Sequence, residues 1–200
     1  MNKNLSWMAT KGGDKYYRLA KKLGEPSRAY FKIKQIDFKY KLFGPGMVVV
    51  DLGSSPGGWV NYELNRVAPN GRVIAVDLTE LRVNTRPGLI FLKKDALQLS
   101  SEELLKEAGS SVDVFLSDMA PRFSGIATVD MARHYELAAK ALELAESTLV
   151  NQGWFVVKLF VSEDFKPFLD ALKKSFASVK VDKPDSSRRN SNEVYAVCRK

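Results

Sequence analysis

Val48-Val49-Val50-Asp51-Leu52-Gly53-Ser54-Ser55-Pro56-Gly57-Gly58-Trp59 changes character midway, from a continuous apolar run to a carboxylate and then a glycine-rich turn. A buried parallel strand hands over to a ligand-gripping loop in this way. Glycine suits such a turn because it accepts positive φ and, lacking a Cβ, lets a ligand lie against the backbone. A dinucleotide fingerprint would read G-x-G-x-x-G and seat a pyrophosphate, but the glycines here are spaced differently and no Lys or Arg lies between Asp51 and Trp59. The expected ligand is nucleoside-like and carries no phosphate.

Three further aspartates end or follow apolar runs: Asp77 after Val73-Ile74-Ala75-Val76, Asp95 beyond Ile90-Phe91-Leu92, and Asp118 after Val114-Phe115-Leu116-Ser117. Any one of them reads as a strand-end cap. Four carboxylates after successive strands, with the glycine loop at the first, point instead to a crevice at the carboxyl ends of an open sheet. An acidic crevice prefers a cation. S-adenosyl-L-methionine fits, since it has a sulfonium and an ammonium, no phosphate, and ribose hydroxyls and an adenine amine as donors.

Outward from the loop, strand and helix patterns alternate. Strands are expected at 47–52, 72–76, 89–92, 112–117, 153–160, 178–183 and 194–199, and helices at 14–22, 27–41, 59–67, 101–108, 130–150 and 164–175. Ser27 reads as an N-cap. In the 130–150 helix, Tyr135, Ala138, Leu142, Ala145 and Leu149 form the apolar side. The polar connection 184–192 is too short for a crossover helix, so the last two strands should pair antiparallel. The result is an α/β chain with a seven-stranded, mostly parallel sheet, its last strand antiparallel and helices on both faces, like the Rossmann-like sheet of S-adenosyl-L-methionine-dependent methyltransferases.

Two hundred residues with 45% hydrophobic content imply one folding unit. Within it, residues 1–41 read as a basic helical arm and 42–200 as the catalytic domain. The arm holds eleven Lys or Arg (3, 11, 15, 18, 21, 22, 28, 32, 34, 39 and 41) against Asp14, Glu25 and Asp37, so the entire net charge of +8 lies there. Tyr16, Tyr17, Tyr30 and Phe31 are interleaved with these bases, a mixture suited to neutralising phosphates and stacking on unpaired bases. Lys11, Lys15, Arg18, Lys21, Lys22, Arg28 and Lys34 are the candidate RNA contacts. A solvated helical face would explain the charges alone. No apolar run approaches the roughly 18–20 residues of a membrane span, and a cytoplasmic monomer is expected. The lone Cys198 and lone His134 read as structural, and no metal site is expected.

Lys158 ends an apolar strand, where an unpaired ammonium is costly unless its stem snorkels out. Asp118 ends a neighbouring strand and Glu193 opens another, so a Lys–carboxylate cluster at the crevice mouth is the alternative. At this point the chain resembles the FtsJ/RrmJ (RlmE) family of ribosomal RNA 2′-O-ribose methyltransferases, from about Ser27 to Arg199. The family's Lys-Asp-Lys-Glu tetrad falls on Lys32, Asp118, Lys158 and Glu193, and Asp51-Leu52-Gly53-x-x-Pro56-Gly57-Gly58-Trp59 and Ser117-Asp118-Met119-Ala120-Pro121 stand intact. The resemblance implies catalysis by the tetrad, with Lys158 as proton acceptor. It also implies cofactor contacts from Gly53, Gly57, Trp59, Asp77, Asp95 and Asp118, and a large-subunit ribosomal RNA substrate, a uridine of the peptidyl-transferase A-loop. Transfer RNA and messenger-RNA cap methylation use the same tetrad, and a non-catalytic RNA-binding assembly factor is the reading from another class. A Tyr17-x-x-x-Lys21 pair of dehydrogenase type lies in the arm, before the first strand, where no nicotinamide would reach.

Overall fold

The computed structural model describes residues 15–188 and 190–200. Two helices, α1 (Lys15–Leu23) and α2 (Ala29–Tyr40), precede β1 (Val48–Leu52). There follow α3 (Gly58–Val67), β2 (Arg72–Asp77), β3 (Leu89–Lys93), a 3-10 turn (Ala96–Gln98), α4 (Ser101–Ala108), β4 (Val112–Ser117), α5 (Ala127–Thr148), β5 (Leu149–Phe160), α6 (Phe165–Ser175), β6 (Ser178–Asp182) and β7 (Glu193–Arg199). The strands form one sheet in the order β3-β2-β1-β4-β5-β7-β6, with β7 antiparallel to both β5 and β6 and the other pairings parallel.

Both faces of the sheet are covered, which is why β1 is apolar without alternation. Val48, Val50 and Leu52 pack toward α4, α5 and α6, while Val49 packs toward Ile33 and Ile36 of α2 and Trp59, Val60 and Leu64 of α3. The basic arm therefore contributes α2 to the core. The chain reverses direction across the sheet between β1 and β4, and a crevice opens there at the carboxyl ends of the strands.

Three local expectations change. Arg28, not Ser27, occupies the N-cap of α2, and Ser27 Oγ accepts from the Ala29 amide one step earlier (3.2 Å). The long helix starts at Ala127 and stops at Thr148, so Leu149 opens β5. That strand begins four residues before Gly153, with Leu149 paired to Val112 of β4 and with Gln152, in the left-handed region (φ 64°), and Gly153 exchanging backbone hydrogen bonds with Lys200. Among the described residues no helix is long and apolar enough to cross a membrane.

His134 is a buried core residue of α5, its ring 4.6 Å from Phe160 and 5.3 Å from Tyr135. Burial, reinforced by the Lys158 charge, pushes its pKa down from 6.5 to about 4. Between those values the unfolded chain binds a proton that the folded chain refuses, so this group withdraws about 3 kcal/mol of stability as pH falls through the window. Denaturant titrations at pH 7 and pH 4.5 should show a smaller acid-induced loss in His134→Leu than in wild type.

Candidate active site

Two groups of side chains meet at the crevice, and Asp118 belongs to both. On the β1–β2–β3 side, a cavity of about 520 Å³ is lined by Gly53, Asp77, Asp95 and Asp118, with Met119 and Glu136 among its other walls. Asp77 Oδ2 accepts from the Ser55 amide (3.0 Å) and its Oδ1 from the Thr79 amide (2.8 Å), which fixes the carboxylate beside the glycine loop. Asp95 caps the 3-10 turn, its Oδ1 accepting from the Leu97 amide at 3.0 Å. Gly53 has φ +78°, and a Cβ there would meet the Met119 amide nitrogen at 2.8 Å, so only glycine fits where the loop passes the β4 terminus. The amides of Gly53 and Ser54 bond to the Val76 carbonyl and that of Asp118 to the Leu52 carbonyl, tying loop and strand ends together.

The other two glycine-loop candidates sit behind the cavity wall. Gly57, at φ +105°, is the N-cap of α3, and a Cβ would collide with Val83 Cγ1 at 2.5 Å. Trp59 is buried in the core, its indole N–H donating to the Ala29 carbonyl (2.9 Å) and its ring tilted against Tyr195 (5.7 Å). A large apolar ring on the first turn of α3 gains more from burial than from a polar cleft. Asp51 is also turned away from the crevice. It is fully buried, neither oxygen has a hydrogen-bond partner, and burial with the charges of Asp118 and Asp77 drives its pKa well up. Glu63 of α3 shares that condition, raised by burial and by Asp51.

On the β4–β5–β7 side the structure brings Lys32, Asp118, Lys158 and Glu193 together. Lys158 lies opposite Tyr195 in the β5–β7 register. Its Nζ donates to the backbone carbonyl of Asp118 and stands 3.2 Å from Asp118 Oδ1. Lys32 reaches over from α2 to pair with Glu193 Oε1 at 2.6 Å, and Glu193 Oε1 also accepts from Ser187 Oγ at 3.1 Å. The side chains of all four are at most 19% exposed, so the ion pairs act with little screening by water.

Tyr195, which sequence reasoning passed over, joins the two pairs. Its hydroxyl donates to Asp118 Oδ1 (2.8 Å) and accepts from Lys32 Nζ (3.2 Å), and Lys32 Nζ lies 5.6 Å from the ring centre. Burial and the charges of Asp118 and Glu193 raise the phenol pKa well above 10, so it stays a proton donor. Burial acts to raise Asp118, but Lys158, Lys32 and the Tyr195 hydroxyl overcome it and hold the carboxyl below its ordinary value, as an anion. The available signal was alternation: Tyr195 is two residues beyond Glu193 on β7 and shares its face.

The basic candidates divide. Lys15, Arg18, Lys21, Lys22 and Lys34 are exposed, whereas Lys11 lies outside the described residues. The Arg28 guanidinium donates to the Ser186 carbonyl, and the same segment binds Gln35 of α2 through the Ser186 amide and hydroxyl (3.1 and 2.9 Å). Arg28 thus holds the β6–β7 connection onto α2. A wider groove of about 840 Å³ runs between α2 and that connection, with Lys34, Lys39, Lys41, Arg66 and Lys183 on its walls.

The sequence model of FtsJ-like methyltransferases matches residues 26–200. The chain is 42% identical over 186 residues to the Ribosomal RNA large subunit methyltransferase E of Bdellovibrio bacteriovorus, covering 92% of this chain and 94% of that protein. A crystal structure described as a ribosomal RNA methyltransferase from Plasmodium falciparum superposes with TM-score 0.75 at 25% identity, over 87% of this chain and 97% of the other. The fold alone is shared with Aeropyrum pernix fibrillarin in complex with S-adenosyl-L-methionine (TM-score 0.59, 15% identity, 85% and 73% covered). A family match across nearly the whole described chain, seconded by that level of identity, means that the chain belongs to the FtsJ-like methyltransferase family.

Proposed function

We propose that the protein transfers a methyl group from S-adenosyl-L-methionine to a ribose 2′-hydroxyl of large-subunit ribosomal RNA, at a uridine of the peptidyl-transferase A-loop. The observation that carries this is the buried Lys158–Asp118–Tyr195–Lys32–Glu193 network at the lip of an acidic, nucleoside-sized cavity. The name of the Bdellovibrio relative supports the ribosomal substrate.

The cavity residues fit the cofactor. Three aspartates suit a cationic ligand, and the volume lies within the range of small-molecule sites. Asp77 would hold the ribose hydroxyls, Asp95 the adenine amine and Asp118 the methionine end, with Gly53 and Gly57 shaping the loop and Trp59 supporting it from the core. When bound, S-adenosyl-L-methionine supplies a methyl group activated by its sulfonium.

What remains for the protein is to orient a poorly acidic hydroxyl and remove its proton. Asp118 occupies two hydrogen-bonding positions of Lys158 Nζ through its carbonyl and Oδ1. Once the resting ammonium of this ion pair has passed one proton to solvent, its two remaining N–H groups keep those bonds and the lone pair is left to take the hydroxyl proton. Lys32 places a second cation near the oxygen as it gains negative charge, and Glu193 and Tyr195 keep that cation in position. The exposed lysines of α1, with Lys34, would bind RNA phosphates.

Lys158→Ala should lower methyl transfer about 10²–10⁴-fold, the span of general-base contributions, with little change in cofactor affinity. Tritiated-methyl incorporation into ribosomal subunits, beside calorimetric titration of the cofactor, checks both halves; near-wild-type turnover would remove Lys158 from the chemistry. Replacing Lys11, Lys15, Lys21 and Lys22 together by Gln should weaken RNA binding and flatten the slope of log affinity against log salt by about 3. Equal transfer to transfer RNA and to ribosomal subunits would defeat the assigned substrate.

A further inference from the structure

We propose that Phe123 is the stacking platform for the nucleobase of the nucleotide being methylated. The inference rests on the RNA 2′-O-methyltransferase reading and adds to it the residue that receives the target base.

Phe123 is a large aromatic left 58% exposed, yet held firmly. Its ring meets Phe160 edge-on at 5.9 Å, and Phe160 is braced in turn by the His134 ring at 4.6 Å and by the Tyr135 hydroxyl, which donates to the Phe160 carbonyl at 2.7 Å. Immediately after Phe123 the loop is anchored by the first turn of α5. Buried Asp130 accepts from the Ser124 amide (2.7 Å) and hydroxyl (2.8 Å) and from the Gly125 amide (3.0 Å). Those bonds depress the Asp130 pKa and keep the anchor ionised. A helix-start carboxylate committed to fixing this loop, while the loop's aromatic ring stays in solvent, holds that ring out as a surface for something outside the chain.

Position identifies the occupant. The loop leaves Asp118 at one end, and Phe160 lies two residues beyond Lys158 on β5, roughly 7 Å along an extended strand. A ribose whose hydroxyl sits at Lys158 carries its base within that reach. Arg122 and Arg133, both exposed and both on the cavity rim, supply positive charge for the adjoining phosphates. An apolar ring flanked by cations beside a sugar-directed amine matches an unpaired nucleotide, because every base offers a π-face and base–aromatic stacking tolerates any sequence. The target base must therefore be unstacked from its neighbours, and a fully paired target is a poor substrate.

The test first locates the ribose methylated by wild type in large-subunit ribosomal RNA, then compares wild type, Phe123→Ala and Phe123→Trp on that RNA and on the same RNA made abasic at that one nucleotide. On intact RNA, Phe123→Ala should lower kcat/KM about ten-fold while Phe123→Trp stays near wild type, with melting temperature and cofactor affinity unchanged in both. The abasic RNA should cost wild type a similar factor and Phe123→Ala almost nothing further, since platform and base act as a pair. Losses that multiply in the combination, or an unaffected Phe123→Ala, would overturn the assignment. So would a defect seen with assembled subunits but not with free RNA, which would give the surface to a protein partner. Wild type that methylates no ribose at all fails one stage earlier and takes the parent reading down with the platform.

Discussion

Burying two ammonium groups beside two carboxylates is the constraint around which this molecule is arranged. Desolvating an ion costs several kcal/mol, and Coulomb attraction offsets that only when each charge meets its opposite at close range with its remaining hydrogen-bonding positions filled. Lys158 meets Asp118, Lys32 meets Glu193, and the Tyr195 hydroxyl fills the positions between the pairs. Because the phenol is a neutral donor toward Asp118 and a neutral acceptor toward Lys32, it joins the pairs without adding charge. Removing any member leaves another buried and unmatched, so the network acts as a unit.

The strand order explains how the network comes to stand beside a ligand cavity. The β1–β2–β3 half of the sheet leads to Asp77 and Asp95, and the β4–β5–β7 half to Asp118, Lys158 and Glu193, which Lys32 joins from α2. Asp118, first residue beyond β4, is the one side chain common to both, and its amide is hydrogen-bonded to the end of β1. In the proposed function, a donor held by the first half and an acceptor oriented by the second meet at this carboxylate, which is fixed by the end of β1 and by Lys158. The late insertion of β7 between β5 and β6 matters equally, since it sets Tyr195 against Lys158 and brings Glu193 to the mouth.

The N-terminal region serves two ends. Ile33 and Ile36 bind α2 into the core, and Lys32 on another side of the same helix enters the tetrad. Its outer surface, and α1 before it, carry exposed cations. In the proposed function, substrate affinity and catalytic geometry both draw on this helix, whose position is secured by Arg28 and Gln35 gripping the β6–β7 connection and by the Trp59 indole bonded to the Ala29 carbonyl.

Local pattern was enough for the alternation of strands and helices, the antiparallel end of the sheet, the glycine loop and the strand-end aspartates, because each is a matter of period, turn chemistry or steric allowance within a few residues. It was also enough to single out Lys158, an ammonium where apolar side chains belong. Pairings between distant segments were decided only by the tertiary structure. Trp59 and Asp51 turn inward although Gly53 and Ser55 between them line the cavity, Arg28 spends its charge on Ser186, and Tyr195 becomes the hub of a network spread over α2, β4, β5 and β7. The physical reason is that a side chain's partner is set by which strands and helices pack side by side, and residues separated by a hundred positions or more become neighbours only when the whole core closes.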